Sequence, residues 1–205
     1  MCIRDRNPVD PEAWHFFSWN SHARDGGFDD SGARAKAMGL EHYEHVDPVG
    51  ERMTEEERRV VEERYMFHKV VIIIGEIYEL VVWEQTADVQ FKDGSYAYNG
   101  QLGRVLRKEG DTYVVHVHGR PDDDAQLSLG THHVSVSVPR LGGDVLLGLQ
   151  FLKPQKYRTV ASSQGFECDA AVIHAEKQGM DKPGLLYTAL TVSYTHLTLP
   201  TICSV

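Results

Sequence analysis

The sequence predicts an α/β fold wrapped around a small all-β insertion, and three observations carry this. Residues 80–138 read as short strands broken at Asp93-Gly94, Asn99-Gly100, Glu109-Gly110-Asp111, Arg120-Pro121-Asp122 and Leu129-Gly130. Turns this close together suit a small barrel or meander. After Pro139 and Gly142-Gly143, an apolar strand at 157–160 enters Ser162-Ser163-Gln164-Gly165, and a strand at 170–174 and a helix start near Pro183 follow. That order is α/β. Upstream, Thr54-Glu55-Glu56-Glu57 has the capping-box pattern of a helix start.

The two ends change every count. Met1-Cys2-Ile3-Arg4-Asp5-Arg6, written as ATG TGT ATA AGA GAC AG, has a reverse complement that translates as Val-Ser-Tyr-Thr-His, the residues at 192–196. Two protein termini have no physical reason to be reverse complements, so 1–6 and 192–205 read as a translated sequencing adapter, outside fold reasoning. The natural sequence is then expected over Asn7 to Thr191. Setting aside Arg4, Arg6 and Asp5 moves the formal net charge from -9 to -10, and Cys168 is the one cysteine left. A lone cysteine makes no internal disulfide and no cysteine-based zinc pattern. The apolar run at 70–74 is far too short to span a bilayer. An acidic balance argues mildly against nucleic-acid binding through bulk charge, but it allows a local grip on a few phosphates.

Taken in order, residues 7–50 are rich in Asp, Gly, His and Trp without a period and read as irregular, with a helix near 31–38. Val60, Val61, Arg64, Tyr65 and His68 continue the capping box at helical spacing. The β-branched run at 70–74 fits either a buried strand or the end of that helix. Val134, Val136 and Val138 alternate with Ser135 and Ser137, as in a half-exposed strand. No internal repeat is present.

The strongest chemical signal is Tyr157-Arg158-Thr159-Val160-Ala161-Ser162-Ser163-Gln164-Gly165-Phe166-Glu167-Cys168-Asp169. It reads as a strand, a turn of small residues and a helix start. Hydroxyls and free backbone N–H groups collect there, which makes an anion site, and Glu167 is placed to accept from a sugar hydroxyl. The bland reading is an ordinary strand-to-helix turn. The segment resembles motif V of superfamily-one helicases, Thr-Val-x-x-Ser-Gln-Gly-x-x-x-Asp. The resemblance implies that Thr159, Ser162 and Ser163 meet nucleic-acid phosphates while Gln164, Gly165 and Glu167 face the nucleotide. Gly184-Leu185-Leu186-Tyr187-Thr188-Ala189-Leu190-Thr191 resembles the start of motif VI, which implies a nucleotide-side place for Tyr187. In that family an arginine follows and acts as the finger on the γ-phosphate; here the next residue is Val192.

Asn99-Gly100-Gln101-Leu102-Gly103-Arg104-Val105 reads locally as a hairpin turn. It also resembles the Asn-Gly-x-x-Gly-x-Val with which RecD-like and Pif-like helicases enter a small SH3-like insertion. By that resemblance Asn99 joins the nucleic-acid side. Lys153, Lys156 and Arg158 would sit close to bound phosphates; a solvated charge cluster is the plainer alternative. The resemblance covers about 80–191 and implies a partial RecA-like motor domain at 80–100 and 145–191, the second of its protein. An SH3-like β-barrel would be inserted at 101–144, and 7–79 stay unassigned. ATP and Mg2+ are the implied cofactors and single-stranded DNA the implied partner, with RNA open because other superfamily branches share these signatures. The implied place is the cytoplasm, or the host cell interior for a viral protein. No Gly-x-x-x-x-Gly-Lys-Ser/Thr occurs. In these helicases it lies in the first motor domain, so the fragment alone is expected to be inactive.

Two other classes compete. Gly110, His116 and His118, with Asp123 and Gly130, resemble the first metal motif of cupins, with His132 or His133 as a further ligand. Both His116 and His118 fall on one strand face. No second cupin motif accompanies them, and exposed hairpin histidines are the simpler account, so no metal site is assigned. A non-catalytic oligonucleotide-binding barrel is the other class.

Overall fold

The computed structural model describes residues 13–64, 68–82, 89–120, 125–163, 171–174 and 184. In chain order the elements are β1 (Trp14–Phe17), α1 (Asn20–Met38), β2 (His42–Val46), α2 (Pro48–Arg52), α3 (Glu55–Arg64), β3 (Lys69–Ile73), β4 (Ile77–Leu80) and β5 (Leu102–Glu109). They continue with β6 (Thr112–Val117), β7 (Gln126–Leu129), β8 (Thr131–Val138), β9 (Gly143–Gln150), β10 (Leu152–Pro154), β11 (Tyr157–Thr159) and β12 (Ala171–Ile173). The chain divides into two units, Met1–Ala23 with Lys156–Val205, and Arg24–Gln155.

The first unit holds a parallel sheet in the order β11-β1-β12. His15 lies opposite Tyr157 and Val172, and Phe17 lies opposite Thr159. Phe16 and Phe17 are fully buried, so the Trp-His-Phe-Phe run is apolar on both faces, as a central parallel strand requires.

The second unit is mostly antiparallel. Its largest sheet runs β10-β4-β5-β6-β7, with β2-β3 and β8-β9 as separate pairs. Ile72, Tyr78, Leu80, Val105, Val115, Val117 and Leu129 form its main core, while Met53, Val61, Val134, Val138, Leu147 and Leu149 form a second. Of the run at 70–74, residues 70–73 are strand, in β3, and Ile74 opens the turn that follows. Val70 and Ile72 pack into the main core, and Val71 and Ile73 pack with Ala35 on the opposite face. Burial on both faces is why that segment shows no alternation.

Two expectations are corrected. Residues 7–50 are not irregular where described: they include β1, β2, α2 and a 19-residue helix, α1, which starts well before residue 31. The buried residues of α1 are Ala23, Arg24, Gly27, Ser31, Gly32 and Ala35, and all but Arg24 are small. The helical period is written in size rather than hydropathy, so a search for apolar spacing passes over it. The expected closed barrel is not formed among the described residues. The five-stranded sheet is open, ends in β7 and β10, and draws β4 and β10 from outside 101–144. A bulge between Val105 and Arg107 bends β5, but past Gly130 the chain forms the β8-β9 hairpin and does not close the sheet.

The capping box at α3 is present. The Thr54 N–H donates to Glu57 Oε2 at 2.7 Å, and the Glu57 N–H donates to Thr54 Oγ1 at 3.3 Å. Val61 is buried and Val60 is 62% exposed, so the helix offers its core a narrow stripe.

Candidate nucleic-acid interface

β11 ends at Thr159 and the chain turns through a short 3-10 segment, Ala161–Ser163. The Thr159 hydroxyl accepts from the Ser162 N–H at 3.2 Å and donates to Ser162 Oγ at 3.1 Å. Ser162 Oγ in turn donates to the Thr159 carbonyl at 3.0 Å. Threonine and serine suit such a turn because their short hydroxyls reach backbone groups two or three residues away. The Val160 N–H donates to the Phe17 carbonyl at 2.9 Å, which ties the turn to the end of β1. Thr159 is nearly buried, whereas Ala161 and Ser162 are exposed. Thr159 therefore shapes the turn and Ser162 stands at its surface.

All three strands are parallel, so Phe17, Thr159 and Ile173 end on one side. Ligands of open α/β sheets bind outside such carboxyl ends. Ser18 and His22 also gather here, with Ser18 Oγ and His22 Nδ1 3.3 Å apart. The His174 N–H donates to the Phe16 carbonyl at 3.0 Å, its ring stacks on Phe17 at 4.1 Å, and its Nε2 is 3.1 Å from His15 Nδ1. The Arg158 guanidinium sits 5.5 Å from the Trp14 ring centroid, and its Nη1 reaches the Ser162 carbonyl at 3.5 Å. Lys156 is half-buried, and its carbonyl accepts from the His15 N–H at 2.7 Å.

Arg158, Thr159, Ser162 and the Ser163 backbone thus share the carboxyl end of β11 and the turn after it, whereas Lys156 lies in the turn before β11, at its amino end. Gln164, Gly165, Glu167 and Tyr187 lie outside the described residues. Asn99 belongs to the second unit, where it is exposed and its Oδ1 accepts from the Val82 N–H at 3.2 Å. Gly100 beside it has φ 87°, a left-handed value that favours glycine. Sequence reasoning missed the contribution of β1. The signal was there: an apolar Trp-His-Phe-Phe run followed by Ser18-Trp19-Asn20-Ser21 repeats the strand-then-polar-turn pattern of 157–163.

The histidines of the cupin comparison are dispersed. His116 lies opposite Arg104 and Gln126 in the sheet, and His132 packs on Phe151 with ring centroids 5.6 Å apart. Among the described residues no group of three or more His, Cys, Asp or Glu is placed to hold a metal ion. No helix among them is long and apolar enough to cross a membrane.

No family model and no curated protein matches the sequence. Solved structures do. A structure of two coordinating Pif1 helicases unwinding DNA at forked double-stranded DNA is similar with TM-score 0.54 at 19% identity over 93% of this chain. The Pif1 helicase of Candida albicans is similar with TM-score 0.53 at 10% identity over 91% of this chain. This chain spans 38% and 45% of those two chains, respectively. The mixed α/β fold described above is therefore one shared with a part of Pif1 helicases.

Proposed function

We propose that the chain is part of the second RecA-like motor domain of a superfamily-one helicase of the Pif-like or RecD-like branch, driven by Mg2+ and ATP along single-stranded DNA. One observation carries this: the Thr159–Ser162 turn stands at the carboxyl end of a parallel sheet, in a fold shared with Pif1 helicases. On this reading Ser162, Ser163 and the N–H groups of the turn meet strand phosphates, with Lys156 and Arg158 adding charge and Asn99 a further contact. Gln164, Gly165, Glu167 and Tyr187 face the nucleotide. The triphosphate loop belongs to a first motor domain and the arginine finger to the residue after Thr191. Closure of the two domains on ATP would advance the strand, and the fragment alone would not hydrolyse ATP. The antiparallel strands around 101–144 are the SH3-like insertion on this reading, and the ends at 1–6 and 192–205 are adapter.

The test is fluorescence anisotropy of a labelled oligothymidine at low salt. Binding by the chain, lost in Thr159→Ala with Ser163→Ala, supports a motor-domain grip. Binding unaffected by that pair sinks it. An oligouridine of equal length separates a DNA track from an RNA one. Reading the source DNA across both junctions tests the placement: a Gly-Lys-Ser/Thr loop upstream and an arginine codon after Thr191 are expected.

A further inference from the structure

Beside β7, an edge strand of the five-stranded sheet, the second unit holds a cavity of about 220 Å3. Its lining includes Gln90, Ser128, Leu129, His132 and Phe151. His132 and Phe151 make an aromatic wall, their rings inclined by 56°. Gln90 and Ser128 are its amide and hydroxyl residues, and among the described lining residues none is an acid, a lysine or an arginine. Gln90 is paired across an isolated antiparallel bridge with Tyr96. Directly opposed residues in such a pair share a face, and Tyr96 is 57% exposed. An exposed aromatic ring therefore flanks the cavity. The hairpin that carries both residues is held by its own bonds: the Phe91 N–H donates to the Ser95 carbonyl at 2.8 Å, and Asp93 accepts from the Ser95 N–H and hydroxyl at 2.9 and 2.6 Å. Lys92 is exposed at its tip.

These features select a ligand class. The volume lies below the roughly 300 Å3 at which ordinary small-molecule pockets begin, so it suits a single ring system. An anion such as free phosphate finds no cation among the described lining residues. A purely aliphatic group makes no use of Gln90 and Ser128, which are exposed and able to hydrogen-bond a polar edge. A nucleobase meets both conditions, because it is flat and uncharged with hydrogen-bonding edges, and it stacks on aromatic side chains. We propose that this cavity takes one unpaired nucleobase of a nucleic-acid strand and that the adjoining base stacks on Tyr96. The functional reading above enters only in supplying the strand.

The experiment uses the full chain and an oligothymidine carrying one 2-aminopurine, whose fluorescence is quenched on stacking. Ser128→Phe fills the cavity and Tyr96→Ala removes the flanking ring, and both positions are exposed. Quenching by the native chain is expected, with a loss of affinity of about ten-fold in each variant, the size of one stacked base, and an unchanged melting temperature. If Ser128→Phe binds and quenches as the native chain does, the base site is elsewhere and the proposal falls while the motor reading stands. If no oligonucleotide binds, the motor reading fails and free adenosine and thymidine, followed by chemical-shift titration, decide the cavity. Saturable nucleoside binding removed by Ser128→Phe upholds it, and absence of nucleoside binding overturns it.

Discussion

The Thr159 hydroxyl stands between two groups of Ser162, accepting from its N–H at 3.2 Å and donating to its Oγ at 3.1 Å. A threonine that motif reasoning assigns to a phosphate is thus also the residue that sets the shape of the turn. Thr159→Val keeps the volume and removes both bonds, at a cost of about 0.5–1.5 kcal/mol because Ser162 is exposed and water can take up its N–H. Thr159→Ser should restore most of it. Oligonucleotide affinity is expected to fall in the valine variant and recover in the serine one. Equal affinity in both would show that the turn geometry is irrelevant to binding.

Charge at the interface is checked by salt. Each phosphate neutralised on a single strand contributes a slope of about -0.7 to log K against log salt. Lys156→Ala with Arg158→Ala should therefore flatten the slope by roughly 1.4 if both cations meet phosphates. An unchanged slope would return them to the status of a solvated charge cluster.

Asp25 offers a pH test of the second unit. Burial pushes its carboxyl up, but hydrogen bonds and charge from Arg24 and Lys69 outweigh that and hold it at about 2, against an ordinary 3.8. A carboxyl depressed in the folded state stabilises the fold above its unfolded value, and that contribution is lost as pH falls. Urea midpoints should drop between about pH 4 and pH 2, and Asp25→Asn should remove part of that drop. Arg24 and Lys69 lie 2.9 Å from the same Oδ1, so the variant also lowers stability at neutral pH.

Gly50 is required by contact rather than by φ. A Cβ placed there would stand 2.5 Å from the Cβ of His68, and His68 is buried with its Nε2 2.7 Å from Glu51 Oε1. Gly50→Ala must displace that ring, and overpacking of this kind costs about 1–3 kcal/mol. Calorimetry should record a lower melting temperature, and a variant as stable as the native chain would refute the close approach.

Core truncation separates the two clusters of the second unit. Ile72→Ala in the main core and Leu147→Ala in the second each remove a fully buried side chain. Each should cost about 2–5 kcal/mol, with the spread set by how far the site collapses. Denaturant midpoints provide the measurement. A loss much below this range at Leu147 would mean that the β8-β9 hairpin contributes little to the fold.

Some of this molecule was legible from residues alone. The Thr54–Glu57 capping box, the Val134–Val138 alternation, the strand at 157–160 and the turn after it depend on groups within a few residues of one another, and each appears as read. What the sequence left open needed partners distant in the chain. Whether 70–74 was strand or helix was decided by β2 on its flank and by apolar neighbours on both of its faces. The helix at 20–38 buries small residues and Arg24, a pattern that leaves little mark in hydropathy, and Ala35 meets Val71 and Ile73 of β3. The candidate site divides in the same way. The Thr159–Ser162 turn is local chemistry, but its position beside the ends of β1 and β12 comes from pairing Phe17 with Thr159 and Phe16 with Ile173. Those hydrogen bonds join residues more than a hundred positions apart, and only tertiary structure could decide them.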